Sequence, residues 1–130
     1  MTIAPKKILL IHNNPQERGK LAIMLSRFGH EVRFSSGKGC TNQMLMSNDL
    51  VIIDDQLGSN SGLNFINQIS SGLCEKVIYL ASHSFLAASR ELQNLNFYEW
   101  VTKPVDPLKL AVVVCDYFVE IANKQHPVPK

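Results

Sequence analysis

Residues 49–62 read DLVIIDDQLGSNSG: four successive apolar side chains, Leu50 to Ile53, that end abruptly in two aspartates. A strand sends alternate side chains to opposite faces, so a run that is apolar at every position belongs to a strand covered on both sides. Such strands lie within parallel sheets, with helices packed above and below. Asp54 and Asp55 then fall at the carboxyl end of a middle strand, and the Gly/Ser/Asn-rich residues after them read as a loop.

Outward from that strand, short apolar runs alternate with longer helical patterns. Lys7–Ile11 (KILLI), Glu31–Phe34 (EVRF), Val77–Leu80 (VIYL) and Trp100–Thr102 (WVT) read as further strands. Asn14-Pro15-Gln16-Glu17 supplies an N-cap, a proline at the first helical position and an acid three residues after the cap. Leu21, Leu25 and Phe28 follow on one face, and Gly29 stops the helix. Gly39–Met46 gives a weak helical pattern. Gly62–Ser71 sets Leu63, Ile66 and Ile69 on one stripe before a stop at Gly72, and Ser84–Leu95 reads as another helix. Asp106-Pro107 caps a last helix running to about Asn123.

Five β–α pairs in succession predict an α/β domain with a five-stranded parallel sheet. The expected fold is flavodoxin-like, doubly wound as (βα)5 in the order 2-1-3-4-5, with right-handed crossovers. The domain is expected over residues 7–123. Residues 1–6 form an N-terminal extension, and 124–130 (KQHPVPK) a flexible tail or a linker.

With 130 residues, 45% hydrophobic and 18% charged, the chain can bury one core and is too apolar for wholesale disorder. A net charge of +2, carried on scattered Lys and Arg, makes no phosphate-tracking stripe, so neither nucleic acid nor membrane is an expected partner. Cys40, Cys74 and Cys115 are odd in number and lack C-x-x-C spacing, as expected of reduced thiols. The apolar run after Lys6-Lys7 is too short for a signal peptide, and Leu110–Cys115 is too short for a membrane span. The expected location is the cytoplasm.

In a sheet of this order, sites form beyond the carboxyl ends of the strands, where the order reverses. The residues to read are His12-Asn13-Asn14, Asp54-Asp55-Gln56, Ala81-Ser82-His83 and Lys103-Pro104. An aspartate from the middle strand and a lysine from the last can share one pocket.

At these positions the chain resembles the receiver domains of response regulators. KILLIHNNP (7–15) is similar to that family's first strand, which ends in an acidic pair. DLVIIDDQLGSNSG resembles its phosphoacceptor segment, with Asp54 at the strand end and Gly62 eight residues on. WVTKPVDP (100–107) resembles its last strand, with Trp100 as switch aromatic, Lys103 as phosphate-binding lysine and Pro104 after it. The likeness runs from about Lys6 to Asn123.

The resemblance implies a non-enzymatic signalling domain that partners a sensor histidine kinase or another signalling protein. Asp54 would accept a phosphoryl group from a phosphohistidine, with Mg2+ bridging the carboxylate and the transferred group. Lys103 would hold the phosphoryl oxygens as a point charge. A hydroxyl at the end of the fourth strand would close on the phosphate. Trp100, half in and half out beside the last helix, would swing and remodel that helix.

Three positions depart from the family's pattern. His12 and Asn13 replace the acidic pair, which leaves Asp54, the Asn13 amide and the backbone carbonyl of Gln56 as a weak Mg2+ site or none. No tightly bound cofactor is expected. Ala81 stands at the hydroxyl position, and the adjacent Ser82 belongs to the opposite face of the strand. Gly58 replaces the proline usual four residues after the phosphoacceptor, which loosens the loop.

Plainer readings stand beside these. Asp54 could be a strand-end acid paired with Lys103, and Asp55 is a rival phosphoacceptor. His12 is a structural histidine or a ligand to a softer metal such as zinc. His83 is a rim residue tuning water access or a solvated loop histidine, and Trp100 a switch or a core residue. On the last helix, Leu110, Val113, Val114, Tyr117, Phe118 and Ile121 make one apolar face. Leu108, Val112, Cys115 and Val119 make a second stripe, either scattered surface apolars or a docking or homodimer face.

Two functions compete: a degenerate receiver that signals through contacts of its last helix with weak or no phosphorylation, and a receiver phosphorylated on Asp54. Enzymes sharing the topology fit less well. A flavodoxin needs a Ser/Thr/Gly-rich phosphate loop where residues 12–17 read HNNPQE, and an aspartyl phosphatase needs a second acid where Gln56 stands.

Overall fold

The computed structural model describes residues 6–36, 42–57, 60–61, 65, 71–82 and 97–125. The described elements are β1 (Lys7–Ile11), α1 (Pro15–Arg27), β2 (Glu31–Ser35), α2 (Asn42–Met46), β3 (Leu50–Asp54), β4 (Gln56–Leu57), β5 (Asn60–Ser61), a 3-10 helix over Ser71–Lys76, β6 (Val77–Ala81), β7 (Glu99–Thr102) and α3 (Pro107–Gln125). The five long strands make one parallel sheet ordered β2-β1-β3-β6-β7, the 2-1-3-4-5 order expected from the sequence. β4 and β5 pair as a small antiparallel ribbon beyond β3.

Every residue of β3 and of β6 is buried, which is why both read as unbroken apolar runs. Their alternating side chains feed two cores. Ile8, Leu10, Ile52 and Leu80 pack with Leu21, Leu25, Leu110 and Val114 of α1 and α3. Leu9, Ile11, Ile53 and Tyr79 pack on the other face with Leu45 and Cys74. Burying one such aliphatic side chain contributes about 1.5–3 kcal/mol, against a strand-propensity scale spanning only about 1 kcal/mol. Two-sided burial therefore decides the sheet. Its register sets Ile11 beside Ile53, Asp54 beside Leu80 and Ala81 beside Thr102, so the strands end together at one edge.

α1 starts as its sequence directs. Asn14 Oδ1 accepts the N–H groups of Gln16 and Glu17 at 3.0 and 3.1 Å. We expect Asn14→Ala to lower stability by about 1 kcal/mol and Asn14→Ser to retain most of it, as read from urea unfolding midpoints. The helix ends at Gly29, whose φ of 88° suits a residue without a side chain. Phe28 does not share the buried face with Leu21 and Leu25. It caps the helix outside the last regular turn and is exposed.

At α3 the Asp106 carboxylate accepts the Leu108 N–H at 3.0 Å. The helix continues through Lys124 and Gln125, two residues past the expected end, since neither breaks a helix. Gly72, read as a helix stop, instead lies within the 3-10 helix. The Gly62–Ser71 helix falls outside the described residues except for Phe65, which is helical, and Ser71. Gly39, Cys40, Gly58, the Ser84–Leu95 helix and residues 126–130 also fall outside them. Cys74 and Cys115 are free thiols. Among the described residues no helix is long and apolar enough to cross a membrane.

Candidate functional site

Beyond the carboxyl ends of β1, β3 and β7, His12, Asn13, Asp54, Gln56, Lys103 and Pro104 line an open cleft of about 1010 Å³. The sequence placed these residues together, and the register brings them there. Asp54 and Asp55 are 2% and 4% exposed, and one cation serves both. Lys103 Nζ lies 2.7 Å from Asp54 Oδ1 and 2.6 Å from Asp55 Oδ1. It donates an aligned hydrogen bond to Asp55, whereas its contact with Asp54 is an ion pair without that alignment.

The remaining carboxylate oxygens take backbone donors. Gln56 N–H donates to Asp54 Oδ2 at 3.0 Å, and Ser82 N–H donates to Asp55 Oδ2 at 2.9 Å. Burial disfavours the charged form of Asp55, but the Lys103 ammonium and the Ser82 N–H outweigh it and hold the carboxyl below its ordinary range. Burial likewise disfavours the Lys103 ammonium, and the two aspartates that hold it push its pKa up instead.

His12 is buried beside Asp54. Its Nδ1 accepts the Asn14 N–H at 3.1 Å, so the neutral ring carries its proton on Nε2, 3.5 Å from Asp54 Oδ1. That distance makes an electrostatic contact rather than a hydrogen bond. Burial lowers the His12 pKa, with the Asp54 charge opposing, which favours this neutral form.

The donor set does not fit Mg2+, which wants several hard oxygens in octahedral array. His12 turns its Nε2–H toward Asp54, whose Oδ1 faces an ammonium and whose Oδ2 takes a peptide N–H. Nδ1 of His12 accepts the Asn14 N–H and Nε2 carries the ring proton, so the neutral ring in this tautomer offers no lone pair to zinc. Among the described residues no group of three His, Cys, Asp or Glu side chains could hold a metal ion.

Ala81 is wholly buried and packs in the core beneath the face opposite α3. Ser82 contributes its backbone N–H to the site, as described. Trp100 does not lie beside the last helix as expected. Odd and even residues of β7 face opposite ways, and Trp100 packs with the core away from α3, edge-on to Phe97 at 5.9 Å. It is half-buried there. His83 lies outside the described residues. Leu108, Val112 and Val119 are 52%, 50% and 58% exposed, and Cys115 is half-buried, so the second stripe of α3 faces outward.

Sequence reasoning missed the part played by Asp55. In the sequence it reads only as a rival phosphoacceptor, yet it is the hydrogen-bonded partner of Lys103. The available signal was a second acid directly after a fully buried strand, which requires a buried counter-ion.

A parallel sheet in this order, with an acid ending its central strand and a lysine following its last, is a doubly wound α/β fold of the flavodoxin-like type. A signal receiver domain from Vibrio parahaemolyticus matches with a TM-score of 0.76 at 14% identity, over 98% of this chain and 100% of that one. A response regulator receiver domain from Clostridium thermocellum matches at 0.66 and 23% identity, over 85% and 92%. A CheY-like receiver domain from Methylobacillus flagellatus matches at 0.69 and 19%, over 87% and 98%. The fold of this chain is the CheY-like receiver fold. No family model and no curated protein matches it.

Proposed function

We propose that this chain is a degenerate receiver: a non-catalytic module of two-component-type signalling that acts by protein contacts and does not need phosphorylation. Its partner is a sensor histidine kinase or another signalling protein. The carrying observation is the pocket, where Lys103 sits between two buried aspartates and His12 presents an N–H where a receiver needs anionic oxygen. A second reading, phosphorylation of Asp54, draws support from the placement of Asp54 on the open cleft.

Adding Mg2+ with beryllofluoride while following Trp100 fluorescence separates the two. The expected result is no saturable change. A saturable quench that disappears in Asp54→Ala would establish the phosphorylatable receiver instead.

The outward stripe of α3 is the contact surface of this reading, for a partner or a second copy. Val112→Glu should leave unfolding free energy within about 0.5 kcal/mol, since the side chain is half exposed. It should also abolish self-association, or binding to a co-expressed kinase, in sedimentation velocity. A variant that associates like the parent would remove the stripe from the reading.

A further inference from the structure

Asp55 occupies an unusual position for a strand-end acid. Its own N–H donates to Leu80 O at 2.9 Å, which continues the β3–β6 ladder one residue beyond β3. Lys103 N–H likewise donates to Ala81 O at 2.9 Å and extends the β6–β7 ladder. The backbone around the carboxylate is thus fixed from both sides. One carboxylate oxygen takes the Lys103 ammonium at the end of β7, and the other takes the Ser82 N–H at the end of β6.

A lysine ammonium and a peptide N–H converging on adjacent oxygens is the donor arrangement that binds an oxyanion. Here the anion belongs to the chain. We propose that Asp55 is a built-in ligand of the pocket's own anion-binding donors, holding Lys103 and the β6 end so that phosphate-type oxyanions are excluded. The three strand ends are thereby joined in one state without any bound group. This deepens the phosphorylation-independent reading and rests on it, because it names the residue that keeps Lys103 from a ligand.

Two features set Asp55 apart from Asp54 in this role. Asp55 has the aligned Lys103 hydrogen bond, and it does not line the cleft. Asp54 does line the cleft and would repel an incoming phosphate by its own charge, so the test is made where that repulsion is removed.

Inorganic phosphate, without metal or phosphodonor, is titrated into the full chain while backbone amide resonances are followed. The parent and Asp54→Asn should show no saturable shift of the Ser82 amide. Asp54→Asn combined with Asp55→Asn should bind phosphate roughly tenfold tighter or more, with Ser82 among the amides that move. Adding Lys103→Ala should abolish that binding. Equal phosphate affinity with and without Asp55→Asn overturns the proposal. So does a saturable Ser82 shift in the parent, a result that needs no variant to fold. Failure here leaves the phosphorylation-independent reading standing, whereas a positive beryllofluoride response in the parent removes that reading and this inference with it.

Discussion

Lys103→Met is expected to lower the free energy of unfolding by roughly 3–5 kcal/mol at neutral pH, the range for removing one partner of a buried ion pair. The methionine keeps most of the aliphatic stem, so lost packing is a minor part of that figure. The dominant cost is two nearly inaccessible aspartates, 2% and 4% exposed, left side by side without a cation. The pH dependence separates charge from packing. In the parent, Asp55 has its carboxyl held below the ordinary range. Its contribution is therefore complete above the unfolded-state pKa and is lost as pH falls through the lower folded-state value. In the variant only the Gln56 and Ser82 N–H groups still oppose burial and mutual repulsion, so the carboxyl pKa rises, folding takes up a proton and the variant recovers as pH falls. The two stability curves, from urea unfolding at a series of pH values, should converge in acid. A gap that stays constant with pH would mean that Lys103 matters for its stem alone. Asp55→Asn placed on Lys103→Met should return part of the loss at neutral pH, because one of the stranded charges is gone.

How far the residues themselves carried this picture depends on what each signal reports. The unbroken apolar runs LVII and VIYL report two-sided burial directly, and they located β3 and β6 within one residue. The Asn14-Pro15 start is written in local backbone chemistry, so it was legible too. Side-chain partnership is a different matter. Asp54 and Lys103 could be paired from strand order, but the claim of Asp55 on the same ammonium depends on the β3–β6 ladder running one residue further. The Nε2–H tautomer of His12 depends on a peptide N–H two residues away, which no composition or period encodes. Of the two readings of Trp100, the core residue is the one that holds, and the place beside the last helix fails for a related reason. The resemblance of Trp100 to a switch aromatic says nothing of strand parity, and parity sends it to the face away from α3. Phe28 shows the limit of the helical period, which fails once the chain leaves the helix.

On the degenerate-receiver reading, the largest gain of function should come from placing two acids at the end of the first strand. His12→Asp with Asn13→Asp is expected to raise Mg2+ affinity by roughly 100-fold or more, since ligand charge and hard oxygen govern that ion. An opposite unit charge at 4 Å is worth about 4 kcal/mol at an effective dielectric of 20, and part of that is lost to desolvation and to repulsion among the carboxylates. The same repulsion should make the metal-free variant less stable than the parent. Thermal unfolding monitored by circular dichroism then gives a direct readout. The variant's midpoint should rise with added Mg2+, by an amount equivalent to about 2.7 kcal/mol when the ion stands at 100 times its Kd, while the parent's stays flat. Equal responses would mean that His12 and Asn13 are not what keeps Mg2+ out. Asp54→Asn in the two-acid background should remove most of the gain, because Asp54 is the acid facing the cleft. Metal binding alone should not open Lys103 to a phosphoryl group, however, because Lys103 is hydrogen-bonded to Asp55. Beryllofluoride should therefore bind the two-acid variant weakly, and tightly only once Asp55→Asn is added. That order of gain would assign metal binding and access to the lysine to two separate residue sets.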